Sequence, residues 1–173
     1  MIKSRLSWLA LALSLLVGIP AAEAGTASST FTVTATVTSA CQINSTSSIA
    51  FGNYDPVNAN KSSPATSTGS IAVTCTKTTP ATIALDQGLN ASASSTCAAP
   101  VRQMISGTND LQYAIYQDTA HSVVWGCGTS DEQSFTSTTG TAPTNFTTYG
   151  SIPAAQDVPA GSYSDTVTVT VSF

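Results

Sequence analysis

The amino-acid sequence predicts an all-β domain, a sandwich or barrel built from short strands. Apolar and polar residues alternate strictly at several places, and a period of two is typical of strands that bury one face. Segments rich in Gly, Pro, Ser, Asn and Asp interrupt these runs at short intervals, which favours many short strands. Beyond the first 24 residues, no window longer than about ten residues carries a helical apolar stripe.

The first alternating segment spans residues 30–38 and reads TFTVTATVT. Its threonines all point to one side, and threonine is one of the β-branched residues that favour extended backbone. The segment is therefore predicted to form a strand. Its other face carries Phe31, Val33, Ala35 and Val37.

The last alternating segment, residues 163–173, is predicted to form the final strand. Asp165 falls in its apolar register, so we expect this residue at the solvent-exposed end of the strand. Because chain ends usually fray, a terminal strand this apolar is expected to be held by another strand, either within its own sheet or from a neighbouring subunit. Its apolar face carries Tyr163, Val167, Val169, Val171 and Phe173.

Six shorter strands are predicted between these two, each an apolar or alternating run with turn-forming residues on both sides. A hairpin turn is expected at residues 118–121. The predicted strands cover residues 49–51, 70–76, 82–86, 111–118, 122–125 and 146–152.

The composition excludes several classes of function. Charged residues make up 8% of the chain, against about 25% in an ordinary globular protein. Thr and Ser, 53 residues in all, supply most of the polar side chains instead. The net charge is −4 and no cluster of Lys and Arg is present, so we expect no nucleic-acid partner and no attachment to anionic lipid.

Residues 1–24 are predicted to be a signal peptide. Two basic residues precede an apolar run of roughly 14 residues, which is too short for a membrane span of about 20. Ala22 and Ala24 are small residues at the positions that precede a cleavage site. The mature protein is thus expected to begin at Gly25, outside the cytoplasm, and no later segment is expected to insert into a membrane.

Four cysteines in an exported chain predict disulfides. Three pairings are possible, and we favour Cys41 with Cys75 and Cys97 with Cys127. Each bond then closes a loop of about 30 residues and stabilises the fold by about 3 kcal/mol in the chain-entropy model. Zinc is disfavoured because no CxxC pair is present and His121 is the single histidine. No metal and no cofactor are expected.

Catalysis is not expected either. Asp118, His121 and Ser122 are residue types found in hydrolase triads, but they are neighbours in one short turn, whereas triad members come from separate segments. The chain has no Gly-x-Ser-x-Gly nucleophile elbow, and its acidic residues lack calcium-loop spacing. His121 is instead predicted to be a surface turn residue.

Several motifs follow one another in a set order along the mature chain. They are the alternating strand that runs into Cys41, Phe51-Gly-Asn-Tyr54, Ile71-Ala-Val-Thr-Cys-Thr76, Leu111-Gln-Tyr-Ala-Ile-Tyr-Gln-Asp118, Trp125-Gly126, and Gly161-Ser-Tyr-Ser-Asp-Thr166 with the terminal Phe173. Each motif is weak alone. In this order and spacing they resemble the spore coat protein U / CsuA/B family of secreted subunits.

The resemblance implies a pilus subunit of the archaic chaperone–usher pathway. Such subunits have an incomplete immunoglobulin-like β-sandwich that is completed by a donor strand. A periplasmic chaperone lends this strand during export through an outer-membrane usher, and the N-terminal extension of a neighbouring pilus subunit replaces it in the fibre. The implied donor residues are Phe31, Val33, Ala35 and Val37, and the implied chaperone and groove contacts are Val167, Val169, Val171 and Phe173.

The predicted organisation is a signal peptide (residues 1–24), a donor-strand segment (residues 25–40) and a sandwich domain (residues 41–173). The predicted function is that of a structural pilus subunit, exported to the cell surface, that supports adhesion and biofilm formation. Two other functions stay open: a spore or cell-surface coat protein, and a monomeric secreted ligand-binding module.

The signal peptide and the disulfides can be tested together. Intact-mass spectrometry of the exported protein should give a chain that begins at Gly25, with no cysteine alkylated unless a reductant is added. Retention of residues 1–24, or alkylation of all four cysteines without reduction, would contradict the prediction.

Overall fold

The computed structural model describes residues 23–173, and eight β-strands form its regular structure. The predicted all-β class is confirmed. None of the described residues forms a helix, and hence none forms a helix able to cross a membrane. Most of the predicted signal peptide, residues 1–22, lies outside the described residues. The strands are β1 (Cys41–Ser47), β2 (Ala65–Cys75), β3 (Pro80–Leu85), β4 (Arg102–Ser106), β5 (Asn109–Tyr116), β6 (Gln133–Thr136), β7 (Thr144–Ile152) and β8 (Val169–Ser172).

The chain divides into two units, Met1–Thr36 and Val37–Phe173. In the first unit, residues 23–36 contain no strand and are exposed throughout. The strand predicted over residues 30–38 is therefore wrong for this isolated chain. An extended segment becomes a strand only when its backbone N–H and C=O groups find a partner edge, and an unpaired segment is left to water.

The second unit, Val37–Phe173, consists of two antiparallel sheets whose inner faces share one core. One sheet has the order β1-β2-β7-β5-β4 and the other the order β6-β3-β8. The apolar residues of the alternating runs point inward from both sheets, as a period of two requires. The largest buried apolar side chains are Ile71, Val73, Ile83, Leu85, Leu111, Tyr113, Ile115, Trp125 and Ile152.

This strand order is that of an immunoglobulin-like sandwich. In that fold, strands A, B, E and D form one sheet, and strands C, F and G form the other. The order β1-β2-β7-β5 reproduces A-B-E-D, and the neighbours β3 and β8 reproduce C and F. No strand of Val37–Phe173 occupies the position of G beside β8. The sandwich is therefore an incomplete immunoglobulin-like one.

The Trp125-Gly126 motif ties the two sheets together. The backbone N–H of Trp125 donates to Ile115 O in one sheet (2.8 Å), and its indole N–H donates to Ile83 O in the other (2.9 Å). The strand predicted over residues 122–125 is wrong, because this segment crosses between the sheets and pairs only through one isolated bridge, from Val124 to Tyr116.

A fully buried arginine, Arg102, completes this connection. Its Nε and Nη2 donate to the carbonyl oxygens of Leu85, Asp86 and Trp125 at 2.6–3.0 Å. Burial lowers the pKa of Arg102, whereas Tyr113 and Asp86 act in the opposite direction. An unpaired buried charge would be very costly, so these carbonyl groups are what make the position tolerable.

Two disulfides cross-link the chain, in the pairing that the sequence favoured. Cys41 at the start of β1 is bonded to Cys75 at the end of β2, and Cys97 is bonded to Cys127 between two loops. The part of the chain that the structure describes holds no free cysteine.

Several strand predictions need correction. The strand expected at residues 49–51 is absent, and β1, β4 and β6 were not predicted. Of residues 163–173, only Val169–Ser172 forms a strand, and Ser164 makes an isolated bridge to Ile105. The missed strands lie at sheet edges, carry few apolar residues, or place a buried arginine where alternation predicts an apolar side chain.

One half-buried carboxylate, Asp86, gives the fold a predictable acid sensitivity. Asp86 Oδ1 accepts hydrogen bonds from the backbone N–H groups of Gly88 (2.9 Å) and Thr168 (2.8 Å). Burial alone would raise the pKa of Asp86, but these hydrogen bonds and the nearby Arg102 outweigh it and hold the pKa below its usual value. Ionised Asp86 therefore stabilises the fold at neutral pH, and this stabilisation is lost as the pH falls through the folded-state pKa.

We predict that Asp86→Asn lowers the melting temperature at about pH 6. Between about pH 5 and pH 2 the variant should lose less stability than wild type, so that the melting temperatures of the two proteins converge in acid. Thermal unfolding followed by circular dichroism measures this, with Asp157→Asn at an exposed carboxylate as the control. Parallel curves for wild type and Asp86→Asn would contradict the assignment.

Candidate functional site

The candidate site is the pair of free strand edges left by the missing strand. β8 pairs only with β3, and β1 pairs only with β2, so each has one edge without a hydrogen-bonding neighbour in Val37–Phe173. The two strands lie close to each other across the gap between the sheets. An edge of this kind presents unpaired N–H and C=O groups, which are a template for another strand.

A cleft of about 410 Å³ opens between these edges and reaches the core. Its floor is apolar, and one of its walls carries hydroxyl groups. The floor is formed by Ile71, Leu85, Met104, Tyr113 and Ile115, and the walls by residues 46–49 with Phe51 on one side and residues 163–167 with Val169 on the other.

The residues implied as groove contacts do not all reach this cleft. Val167 and Val169 line it, half-buried, while Thr168 and Thr170 are exposed and lie outside it. Val171 lies on the same face and packs against the core. Phe173 is 60% exposed and borders a separate depression beside β3 and β6.

The cleft wall next to β1 depends on two glycines in the sheet. Residues 48–51 continue from β1 across the inner face of the sheet, where Gly69 and Gly150 leave room for them. A Cβ on Gly69 would overlap Ser47 O, and one on Gly150 would lie within 2.7 Å of the Ile49 side chain. Ile49 and Phe51 therefore turn inward instead of forming the predicted strand, and they occupy part of the interior.

The Phe51-Gly-Asn-Tyr54 motif fixes this wall at its far end. The Phe51 ring packs edge-on against Tyr113 at 6.3 Å, and the Tyr54 hydroxyl donates to Pro153 O at 2.8 Å. Gly52 between them adopts a φ of 71°, which favours glycine. A second cavity of about 760 Å³ continues the cleft past these residues toward Val158 and Tyr163.

Asp165 forms part of the opposite wall, and it is not at a solvent-exposed strand end as predicted. Its Oδ2 accepts the Tyr113 hydroxyl at 2.7 Å, and its Oδ1 accepts the N–H groups of Asn90. Burial, followed by the hydrogen bond to Asp165, raises the pKa of Tyr113, so this hydroxyl stays protonated and keeps donating. The half-buried Asp165 carboxylate thus links Tyr113 of β5 to the segment that leads into β8, beside the cleft.

The two ends of the second unit lie at the same end of the sandwich. Cys41 is directly opposite Cys75, and a short turn leads from Cys75 to Pro80 at the start of β3. Ser172, near the end of β8, pairs with Thr82 close to that same start. The chain therefore enters β1 at the end of the sandwich where β8 finishes, and Tyr163 lies toward the other end.

The implied donor residues present their apolar side chains to solvent. Phe31 is 88% exposed, and Val33 and Val37 are each 81% exposed. Ala35 is exposed as well. These values are unusual for large apolar side chains arranged on one face of an extended segment.

The Asp118–His121–Ser122 turn has a local structural role. The Asp118 carboxylate accepts Ser122 Oγ (2.7 Å) and the backbone N–H groups of Ser122 and Val123, and these hydrogen bonds lower the pKa of Asp118. His121 adopts a φ of 54° and packs edge-on against Tyr116 at 5.0 Å. Its ring contacts tyrosines, and the Ser122 hydroxyl is already hydrogen-bonded to Asp118.

The fold and the cleft define the class: an immunoglobulin-like sandwich whose last strand position is unfilled. The Spore Coat Protein U domain family matches residues 27–170, and the chain belongs to that family. This match includes the exposed alternating segment as well as the sandwich.

Two known proteins are similar to the chain. Protein U of Myxococcus xanthus is 37% identical over an alignment 173 positions long that covers 91% of each chain. A solved structure is described as the CsuC–CsuE chaperone–tip adhesion subunit pre-assembly complex from archaic chaperone–usher Csu pili of Acinetobacter baumannii. It is 26% identical with a TM-score of 0.49. The match covers 80% of the present chain and 40% of that solved chain.

Proposed function

We propose that the protein is a structural subunit of a surface fibre and polymerises by donor-strand complementation. Residues 30–38 of one subunit would occupy the empty strand position beside β8 of the next. The observation that carries this proposal is the coexistence, in one chain, of an unfilled strand position and an exposed segment with the alternation of a strand.

The proposed donor fits the cleft in length and in pattern. Nine extended residues span about 30 Å, enough to run the length of a small sandwich. Its apolar face would cover the half-buried valines of β8 and its threonines would face solvent. Each buried donor side chain contributes roughly 1–3 kcal/mol according to its size, besides the backbone hydrogen bonds that the strand brings to both edges.

The position of the chain ends supports one direction for the proposed contact. The donor is joined to its own sandwich through residues 37–40, at the end where β8 finishes. In a fibre that repeats head to tail, the next sandwich lies beyond the opposite end of the cleft. The donor must then run antiparallel to β8 and parallel to β1. Contacts of this heterologous kind do not close, so they generate open fibres.

The same free edge explains the proposed export partners. Before assembly, β8 would expose backbone groups and apolar surface that invite aggregation. We therefore expect a periplasmic chaperone to cover the edge and an outer-membrane usher to exchange the chaperone for the next subunit. The assembled fibre would lie at the cell surface, where it supports adhesion and biofilm formation.

A coat protein is the second candidate, and the name of the matched family favours it. Strand donation between subunits would build a coat as well as a pilus, so the two candidates share one contact and differ in its product. Electron microscopy of intact cells and spores separates them: fibres that extend from the cell support a pilus, and an adherent layer supports a coat.

The donor assignment predicts a difference between two neighbouring substitutions. Val33→Asp should abolish polymerisation, because it would place an unpaired carboxylate against the apolar cleft. Thr34→Asp lies on the outward face and should reduce assembly far less. Negative-stain electron microscopy and size-exclusion chromatography of the exported protein measure both. Deletion of residues 25–38 should give a chaperone-bound subunit that forms no fibres alone.

Two results would contradict the donor assignment. If the deletion variant alone still forms fibres, another segment is the donor. If that variant is unfolded even when bound to the chaperone, residues 25–38 belong to their own domain. Equal loss of assembly in Val33→Asp and Thr34→Asp would also count against an alternating, one-sided contact.

The edge strand predicts a second pair of variants. Val169→Asp should prevent a stable complex with the export chaperone, because Val169 lines the cleft that the chaperone strand would fill. Thr170→Asp, one residue on and directed to solvent, is the control. Co-purification from the periplasm measures the effect, and a wild-type yield of complex from Val169→Asp would refute the contact.

A further inference from the structure

We propose that the Cys41–Cys75 disulfide carries the tensile load of the assembled fibre, by passing force from the N-terminal segment directly into β2. This inference rests on the proposed fibre function. It concerns the path of force through one sandwich, which the position of this bond and the character of β1 determine.

β1 receives force at two places in the proposed fibre. Its first residue, Cys41, follows the segment that the subunit donates to one neighbour. Its free edge would be hydrogen-bonded to the strand donated by the other neighbour. The two neighbours pull in opposite directions along the fibre, so β1 is loaded in shear between its N-terminal end and its outer edge.

β1 is poorly suited to bear that load through its own packing. Only Cys41 is half-buried, and the remaining six residues of the strand are exposed. A register shift between Ile43 and Ser45 interrupts its ladder with β2. With so little apolar burial, the backbone hydrogen bonds to β2 are what hold β1 to its own sandwich, and each adds only about 0.5–1.5 kcal/mol.

The disulfide lies where the load enters. Cys41 and Cys75 are directly opposite partners with their Cα atoms 4.0 Å apart. The backbone N–H of Thr76 donates to Ala40 O at 2.8 Å, and the Thr76 hydroxyl donates to Thr38 O at 3.2 Å. Force arriving along residues 37–40 therefore meets a covalent bond before it reaches the ladder of β1.

The strand on the other side of the bond is the best-held one in the sheet. Cys75 is 2% exposed, and β2 pairs with β1 on one side and with β7 on the other, where nine residue pairs are in register. Load that enters β2 is spread over this central ladder and over the buried Ile71 and Val73. The covalent link thus lets the load bypass the hydrogen bonds between β1 and β2, which would otherwise be the weakest part of the path.

The second disulfide supplies a matched control. Cys97 and Cys127 join two loops and neither residue belongs to a strand, so this bond lies off the path from Cys41 to β2. Its loop closure is of similar length, with a sequence separation of 30 against 34. Removing either bond should therefore reduce stability at zero force by a similar amount.

The test is single-fibre force spectroscopy on three assembled fibres: wild type, Cys41→Ser with Cys75→Ser, and Cys97→Ser with Cys127→Ser. In the first double variant we expect an early extension step in each subunit, as β1 is sheared from β2 and the sandwich begins to open from that side. This step should occur at a lower force than any event in wild-type fibres. The Cys97→Ser, Cys127→Ser fibres should lack it.

A second measurement avoids any failure of the first variant to assemble. Wild-type fibres, once assembled, are pulled before and after full reduction, alongside Cys97→Ser, Cys127→Ser fibres treated in the same way. The early step should appear on reduction in both. Its absence in both experiments, or its presence in the unreduced control variant, overturns the load-bearing role. Absence of wild-type fibres in electron micrographs overturns the proposed fibre function and this inference with it.

Discussion

The unfilled strand position beside β8 is the constraint on which the rest of the structure depends. A strand edge must satisfy the hydrogen bonds of its N–H and C=O groups, and a sandwich must cover its inner apolar face. Here both requirements apply at the same place, the gap between β1 and β8. Water can satisfy the backbone groups, but it leaves the apolar side chains of Met104, Val167 and Val169 only half-buried at the cleft. A segment with alternating side chains satisfies both requirements at once, and the chain carries one in residues 30–38.

A sandwich that lacks a strand needs other means of holding its two sheets together. Three hydrogen-bonded groups in the interior hold the sheets together. The Trp125 indole N–H donates to Ile83 O, the Arg102 guanidinium donates to three carbonyl groups, and the Tyr113 hydroxyl donates to the Asp165 carboxylate. Buried polar groups cost free energy unless they are hydrogen-bonded, and hydrogen bonds have directions that apolar contacts lack. These links therefore fix the relative position of the sheets while the cleft stays open, which a strand entering from outside requires.

The sequence predicts the central strands well and the edges poorly, and the reason is physical. β2, β5 and β7 are buried on one face, so their alternation is strong enough to read without any knowledge of their neighbours. β1 buries almost nothing, β6 has four residues, and β4 turns Arg102 inward, so hydrophobic periodicity contains no signal for them. Residues 30–38 have the strongest alternation of all and form no strand, because a strand also needs a neighbouring edge for its backbone groups; in the proposed fibre that edge would belong to the next subunit. For the cleft, Val167 and Val169 could be read from alternation, whereas Ile49, Met104 and Tyr113 meet there only through the tertiary fold.

The scarcity of charge bears on how such an edge selects its partner. With 8% charged residues and hydroxyl-rich outer faces, little electrostatic attraction is available to steer association or to reject wrong partners. Selection must then come from shape and register. Because strand side chains alternate with a period of two residues, a shift of one residue would turn Phe31 and Val33 outward and press threonines into the apolar cleft. The penalty recurs at every position along the strand, so a correct register is favoured over a shifted one by the sum of many small terms. In the proposed fibre, regular alternation would supply the specificity that charge supplies in other assemblies.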